Sequence, residues 1–476
     1  MIIQGGMGVG VSSWRLANAI ASAGQLGVVS GTANAVTHAR QLAIGDPGGH
    51  HTRALDHFPF PDIAKRVYDR HFDTAKFEDG QARFRGLPSP TLKPGRSLTE
   101  LTVVANFVEV FLAKAKHLGT VGVNYLEKIQ LPTLASIYGA MLAGVDYVLM
   151  GAGVPARIPA ILDRLARNER VTMPVTVTGA ERGDQYEIVF DPEEFAAGAD
   201  LPTVKRPKFL AIVSSATMAT YLSRVASGGP DGFVVEMRTA GGHNAPPRGR
   251  MTIDEAGEPV YGPRDEIELE PIAELGLPFW LAGGFGNHAG LQRALAAGAS
   301  GIQVGTAFAF CQESGLDPEI RATTIRSILG GEAKVRTDAL ASPTGYPFKV
   351  LELSTTLSEQ KPYADRPRLC DLGYLREPYK RDDGRVGYRC AAEPVDDYLN
   401  KGGELSEVEG RRCLCNALVA NIGLGQQRGD GYAEVPMLTA GDDIGIIRNF
   451  MRDGNESYSA QDVLDVLLGN SPSALD

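Results

Sequence analysis

Short apolar strands alternate with amphipathic helices along the first 310 residues, and this alternation predicts an α/β fold with a parallel sheet. Roughly eight strand-helix units follow one another, and the last two strands, 278–282 and 301–304, each run into glycine. This is the layout of a (β/α)8 barrel, whose last two loops commonly hold a phosphate. The sequence therefore predicts a (β/α)8 TIM barrel with an inserted loop region and a C-terminal cysteine-containing subdomain.

Composition sets the outer limits of the fold. The 476 residues are 43% hydrophobic and 22% charged, with a mean hydropathy of -0.10, which suits one large core plus a second unit. A net charge of -10 without a long basic run argues against nucleic-acid binding. No segment approaches eighteen uninterrupted apolar residues, so we expect no membrane span. The chain opens on a strand and a glycine turn rather than an export signal, which predicts a cytoplasmic protein.

The elements follow in order from the N-terminus. β-Branched and other apolar runs bounded by glycine or polar residues predict strands, and apolar residues at helical spacing predict helices. The predicted strands are 2–4, 26–30, 120–124, 146–150, 171–179, 209–215, 233–235, 278–282 and 301–304. The predicted helices include 14–23, 101–118, 133–143 and 288–297, the last closed by Gly298.

The alternation breaks between about residues 45 and 96, where glycine, proline and histidine cluster. We interpret this stretch as an insertion on a barrel loop. Four histidines there, His50, His51, His57 and His71, suggest a metal site. No acidic or sulfur partner stands at ligand spacing, so a surface loop is the favoured interpretation.

A short apolar strand at 233–235 leads to Gly241, Gly242 and His243. Paired glycines let the backbone approach a bulky group, and a barrel keeps its reactive side chains just past its strand ends. Imidazole titrates near working pH, so His243 is the predicted catalytic base. An isolated Gly-Gly-His is also typical of a solvated helix N-cap, and only the surrounding barrel pattern favours the catalytic role.

The glycine-rich loops predict a phosphate-bearing cofactor with a flat ring. Backbone amides can hold the phosphate, while glycines elsewhere leave room for the ring. FMN meets both demands. A sugar-phosphate isomerase or aldolase would share the phosphate site but would need a lysine or paired carboxylates at strand ends. Asn124 is either a cofactor hydrogen-bonding group or a loop cap. The predicted cofactor-binding residues are Gly6, Met7, Gly8, Asn124, Gly241, Gly242, Gly283, Gly284, Gln303, Gly305 and Thr306.

Four motifs together resemble the nitronate monooxygenase (2-nitropropane dioxygenase) family. They are Ile-Ile-Gln-Gly-Gly-Met-Gly-Val-Gly near the start, Ala-Gly-Gly-His at 240–243, Ala-Gly-Gly at 282–284 and Gly-Ile-Gln-Val-Gly-Thr-Ala-Phe at 301–308. The resemblance covers about residues 1–340 and implies a TIM barrel, non-covalent FMN and His243 at the family's catalytic-base position. Members that oxidise nitronates usually carry an acidic residue just ahead of this histidine motif. Here Met237-Arg238-Thr239 stands there, which leaves the substrate open.

The tail, 341–476, carries four of the five cysteines: Cys370, Cys390, Cys413 and Cys415. It resembles the C-terminal region of flavin-dependent acyl-carrier-protein dehydrogenase/isomerases, which implies a [4Fe-4S] cluster on these residues. Clustered thiols in a reducing compartment suit a soft metal centre on independent grounds. Structural zinc and unligated buried thiols are the alternatives. We expect Cys413 and Cys415 to share one face of an extended segment, and Cys311 to be a small core residue.

The sequence thus predicts an FMN-dependent oxidoreductase in which His243 removes a proton next to an electron-withdrawing group while electrons pass to the flavin. Acyl-thioester dehydrogenation, isomerisation or enoyl reduction is the favoured reaction, on a small-molecule or acyl-carrier-bound substrate. Oxidation of alkyl nitronates with O2 is one alternative. A tail that acts mainly as an assembly module is another. Acyl chain length, final electron acceptor and oligomeric state stay open.

Overall fold

The computed structural model describes residues 1–74, 83–225, 228–429, 431–452 and 455–470. Its strands are β1 (Ile2–Gln4), β2 (Gly27–Ser30), β3 (Val121–Leu126), β4 (Tyr147–Gly151), β5 (Val171–Pro174), β6 (Glu187–Phe190), β7 (Lys208–Val213), β8 (Gly232–Glu236), β9 (Phe279–Ala282), β10 (Gly301–Val304), β11 (Lys334–Asp338), β12 (Phe348–Glu352), β13 (Glu377–Lys380) and β14 (Val386–Arg389).

The helices are α1 (Trp14–Ser22), α2 (Asn34–Ala43), α3 (His50–Leu55), α4 (Pro61–His71), α5 (Arg96–Ala113), α6 (Thr133–Leu142), α7 (Ile158–Leu165), α8 (Pro192–Ala196), α9 (Ala216–Ser223), α10 (Glu270–Ala273), α11 (His288–Ala296), α12 (Thr306–Ala309), α13 (Pro318–Gly330), α14 (Gln360–Asp365), α15 (Val395–Asn400), α16 (Leu414–Ala420) and α17 (Ala460–Leu468). In the described part of the chain, no helix is long and apolar enough to cross a membrane.

Eight parallel strands form one sheet in the order β1-β10-β9-β8-β7-β4-β3-β2. A parallel bridge between Ile3 and Leu26 joins β1 to the chain just before β2, so the sheet closes on itself. Side chains from alternate strands, such as Val28, Leu149 and Val234, fill the interior. The larger apolar cluster lies between the strands and the surrounding helices. The predicted (β/α)8 barrel is confirmed.

The predicted strand at 171–179 lies outside the barrel. Only Val171–Pro174 is strand, and it pairs antiparallel with β6 in a separate ribbon. Along β5 the burial alternates, with Val171 and Met173 covered and the residues between them exposed. A strand with one solvated face belongs to an antiparallel ribbon, whereas barrel strands are buried on both faces.

The predicted surface loop at 45–96 is wrong at α3 and α4, which pack as helices in the neighbourhood of α5, whereas residues 83–95 contain neither helix nor strand. His51 and His71 are buried, and His51 Nδ1 lies 2.8 Å from Nδ1 of buried His38. Helical periodicity in Pro61–His71, with apolar residues on one face, explains the packing. Residues 75–82 of the predicted insertion lie outside the described residues.

The tail after residue 340 packs in two places. Ala341, Phe348, Val350 and Met437 share a small cluster with residues of α16. Leu438, Ile447 and the apolar face of α17 instead belong to the large barrel cluster. The helix α17 lies against α1 and α11, where it covers the barrel's outer face. The boundary at about residue 340 stays a prediction.

Candidate active site

A cavity of about 470 Å³ opens at the carboxyl ends of the barrel strands. In a parallel barrel all these ends meet on one face, so loops distant in sequence line one space. Every residue predicted to bind the cofactor lines this cavity, and so does His243. The structure thus brings the predicted set together, and the role of each residue stays a prediction.

The turn after β1 packs tightly against β3. A Cβ atom on Gly6 would lie 2.3 Å from Cβ of Asn124, so only glycine fits there. Asn124 Nδ2 donates a hydrogen bond of 3.1 Å to the Gly6 carbonyl. Asn124 stands inside β3, and this bond to the turn after β1 is the contact expected of a loop cap, while its role in binding a cofactor stays a prediction.

Three buried oxygens that line this cavity have no hydrogen-bond partner among the described residues. They are Oδ1 of Asn124, Oδ1 of Asn244 and Oε1 of Gln303. A buried acceptor without a partner costs about 1–3 kcal/mol, so such groups indicate a missing donor. A bound polar ligand could supply such a donor.

The loops after β9 and β10 also line the cavity, and the loop after β10 lies beside the turn after β1 because these two strands pair. Gly283 and Gly284 have φ values of 87° and 77°, in the left-handed region that favours glycine. No lysine or arginine side chain is among the lining residues that the structure describes. A phosphate here would therefore depend on backbone N–H groups and the Thr306 hydroxyl. The Asp443 carboxyl also lines the cavity, and burial raises its pKa, which lessens its repulsion of an anion.

The tail closes over these loops. The Thr439 hydroxyl accepts a hydrogen bond of 2.8 Å from the Gly242 backbone N–H. The Thr306 hydroxyl likewise accepts one of 2.8 Å from Gly441 N–H. A Cβ atom on Gly241 would lie 2.8 Å from the Ala440 carbonyl carbon, so the two segments are in backbone contact. The cavity is therefore built jointly by the barrel and the tail.

His243 is enclosed rather than solvated, and its backbone bridges to Phe348 instead of starting a helix. The N-cap alternative is therefore wrong. Its Nε2 lies 2.7 Å from the Ser342 hydroxyl oxygen, and its ring packs on Phe348 at 4.8 Å. Burial lowers the pKa of His243 well below its usual value, and the Lys128 ammonium lowers it further. The imidazole is thus neutral at pH 7 and able to accept a proton.

Sequence reasoning missed a buried pair beside His243. The Glu236 carboxyl lines the cavity at the end of β8, and burial raises its pKa to about 7 while Lys128 opposes the shift. Burial lowers the pKa of Lys128 to about 7. The Lys128 Nζ atom lies 4.0 Å from the Tyr346 ring centre and has no hydrogen-bond partner in the described structure. The sequence signal that could have revealed this pair was an acidic residue, Glu236, at the end of the apolar run Phe-Val-Val.

All four tail cysteines line one small cavity, and Cys415 and Leu414 line the large cavity as well. Burial raises the pKa of each thiol, that of Cys370 to about 11. The predicted extended segment is wrong, because Cys413 caps α16 and Cys415 lies in its first turn. Within the described ranges, no three His, Cys, Asp or Glu residues form a group that could hold a metal ion.

Cys311 lies apart from the other cysteines. It is fully buried, and its Sγ donates a hydrogen bond of 3.1 Å to the Phe308 carbonyl. It belongs to the large apolar cluster of the barrel. Its expected role as a small core residue is confirmed.

These features define a TIM-barrel protein with a cavity at the carboxyl ends of its strands. Residues 195–338 match the family described as nitronate monooxygenase. The predicted resemblance to this family is therefore confirmed over these residues.

Two curated relatives share part of the chain. A (3aS,4S,5R,7aS)-5-hydroxy-7a-methyl-1-oxo-octahydro-1H-indene-4-carboxyl-CoA dehydrogenase of Mycobacterium tuberculosis is 25% identical over 49% of this chain and 64% of its own length. A nitronate monooxygenase of Paraburkholderia phytofirmans is 31% identical over 37% of this chain and 45% of its own length. The chain thus matches less than two thirds of either relative.

Solved structures resemble the chain along nearly its whole length. FabK from Thermotoga maritima is 15% identical, with a TM-score of 0.48, over 98% of this chain and 91% of its own. A nitroalkane oxidase from Streptomyces ansochromogenes is 18% identical, with a TM-score of 0.45, over 98% and 94%.

Proposed function

We propose that this protein is an FMN-dependent oxidoreductase. The observation that carries the proposal is the enclosed cavity in which the acceptors Asn124 Oδ1 and Gln303 Oε1 lack partners within the described structure. The residues fit FMN because buried polar acceptors and glycine-rich loops line the same space. FMN, when bound, supplies a two-electron acceptor at its ring.

Different residues of the chain would bind different parts of FMN. Gly6, Met7, Gly8, Gly241 and Gly242 would pack against the ring, since all of them line the cavity. The side chains of Asn124 and Gln303 would bond its polar edge. The backbone of Gly283, Gly284 and Gly305, with Thr306, would hold the phosphate.

His243 is the proposed proton acceptor. Its hydrogen bond to Ser342 fixes the ring's orientation, and its neutral form is ready to take a proton from carbon next to an electron-withdrawing group. The surrounding apolar wall excludes water, which strengthens the effect of each charge at the reacting carbon.

An acyl thioester is the proposed substrate, dehydrogenated, isomerised or, in the reverse sense, reduced from the enoyl form. The cavity's walls include apolar side chains from both barrel and tail, among them Ile212, Met218, Leu375, Leu414 and Leu418. Such walls suit an acyl chain. The relative named as a carboxyl-CoA dehydrogenase supports a thioester substrate. An acyl carrier protein is the corresponding candidate partner, and the cytoplasm is the proposed location.

Nitronate oxidation with O2 is the second candidate, supported by the family match and by the 31% identical relative. One experiment separates the two. Flavin-loaded protein is titrated anaerobically with saturated acyl thioesters and, separately, with alkyl nitronates. Bleaching of the flavin by thioesters alone supports the first proposal, and bleaching by nitronates alone replaces it with the second.

We further propose that Cys370, Cys390, Cys413 and Cys415 hold a [4Fe-4S] cluster. Four thiols around one small cavity fit this donor set. A cubane takes one thiolate at each iron, so its ligands stand further apart than those of a single ion. Zinc held by the same four thiols is the alternative. If neither metal is found, an assembly role for the tail gains support.

A further inference from the structure

The cavity wall beside His243 holds an ionisable residue, Glu236, that the proposed mechanism leaves unused. Glu236 ends β8, the same strand that leads to His243, and it lines the cavity. Lys128 follows β3 just outside the cavity lining, and its charge interacts with that of Glu236. The Lys128 Nζ atom is buried and has no hydrogen-bond partner among the described residues. Buried ionisable groups of this kind are typical of functional sites.

The surroundings allow Glu236 to carry a proton. The titratable groups around it are Lys128 after β3, His243 beyond its own strand, Tyr346 before β12 and Asp443 in the tail. Burial raises the pKa of Glu236 to about 7, and the nearby ammonium keeps it from rising further. A carboxyl balanced near neutrality can both give and take a proton. His243, whose pKa lies well below its usual value, favours the neutral base.

We propose that Glu236 is a second catalytic proton-transfer residue of this site and that Lys128 is its positioning residue. The inference rests on the proposed acyl-thioester function and specifies which residues would move the double bond in its isomerisation. His243 removes a proton from the carbon next to the thioester of a β,γ-unsaturated acyl group. The C–H electrons form the new α,β double bond, and the electrons of the old double bond take a proton from Glu236 at the γ carbon. No net oxidation occurs, and the proton passes back from the imidazolium through water.

The test uses the full-length FMN-loaded protein in D2O with a β,γ-unsaturated acyl thioester. Deuterium at the α and γ carbons is followed by NMR. Glu236→Gln should keep α exchange within a few-fold of the parent but lose γ deuteration by about a hundredfold or more. His243→Gln should lose both, because no dienolate forms. Normal γ deuteration in Glu236→Gln would overturn the proposal.

Glu127→Gln is the matched control. Glu127 also interacts with Lys128, but its carboxyl bonds Gln130 at 2.8 Å and does not line the cavity. The control removes the same charge from the neighbourhood of Lys128. It should deuterate the γ carbon like the parent, and an equal loss in both variants would show that charge alone, rather than Glu236, matters.

A second readout is independent of any substrate. The visible spectrum of bound flavin is titrated between about pH 5 and 9. We expect a transition near neutrality that disappears in Glu236→Gln and moves to higher pH in Lys128→Met, since removing the cation favours the protonated carboxyl. A transition that persists in Glu236→Gln would overturn the assignment. If the parent reacts with no thioester but its flavin spectrum shows the Glu236-dependent transition, the proposed substrate is refuted. The proposed role of Glu236 as a proton carrier is then retained.

Discussion

The two cavities of this molecule share the lining residues Leu414 and Cys415 but differ in the chemical groups of their walls. The large cavity presents oxygen acceptors, Asn124 Oδ1 and Gln303 Oε1, that lack donors in the described structure. The small one gathers four thiols whose pKa values are raised by burial, and each neighbouring thiol adds to the effect for Cys415. The first space calls for a ligand that donates hydrogen bonds, and the second calls for a cation that ionises its thiols.

The difference teaches how each site depends on its occupant. Backbone glycines and strand ends shape the large cavity, so it should keep its form without a ligand. The thiols of the small cavity stay protonated until a metal displaces their protons, so metal binding there is coupled to pH and to local folding. Variants should therefore separate flavin loss from metal loss.

The largest expected effect falls on His243. We expect His243→Ala to keep the yellow cofactor and to lose about a hundredfold or more in turnover, the usual scale for a general base. Steady-state turnover and the flavin spectrum are measured together. His57→Ala, at an exposed position, is the control and should match the parent. Unchanged turnover in His243→Ala would refute its role as base.

Gly284→Val and Gly305→Val should abolish FMN binding, because a branched side chain would occupy the space the phosphate needs. Flavin per protein is measured after purification. Gly298→Val is the matched control for Gly284: it has a similar φ of 83°, but its Cβ would meet nothing within 4 Å. Gly284→Val and Gly298→Val should both lose some stability, but only Gly284→Val should lose flavin. Full FMN occupancy in both Gly284→Val and Gly305→Val would show that the cofactor binds elsewhere.

Cys415→Ser tests whether metal binding at the small cavity can be lost while FMN binding at the large cavity is kept. The variant should keep FMN, lack iron and acid-labile sulfide, and become sensitive to protease after about residue 340, because the metal no longer stabilises the tail. Cys311→Ser, in the barrel core, should behave like the parent. One equivalent of zinc without sulfide in the parent would replace the cluster with a structural zinc site, and absence of both metals would leave buried thiols.

The smallest effect concerns thiol reactivity after the metal is stripped by a chelator. Burial raises the pKa of Cys370 to about 11, with the charge of Cys413 adding to it, so its thiolate is scarce at neutral pH. Its alkylation rate should rise about tenfold per pH unit and level off only near pH 11. Mass spectrometry after timed alkylation measures the rate. A rate already flat at pH 8 would contradict the burial of this thiol.

The barrel and most of its site could be predicted from the sequence because they depend on local patterns. Short apolar runs that alternate with segments of helical periodicity predict parallel strands. Glycine at the end of a strand predicts that the backbone closely approaches another group. Parallel strand ends must meet on one face, so residues as distant as Gly6, Asn124, His243 and Gln303 could be grouped without coordinates. His243 followed from its place after β8.

Contacts between distant segments had no such pattern. The charges of Lys128 and Glu236 interact, and no spacing in the chain links a lysine after one strand to an acid on another. The closure of the cavity by Thr439 and the helical start at Cys413 depend on how the tail folds back. The helices of the insertion were hidden by glycine and proline near their ends, which predict loops locally even where tertiary packing imposes helix. Local pattern thus determined the barrel and its base, while only tertiary packing decided which charged groups share the site, because burial and pairing depend on the whole fold.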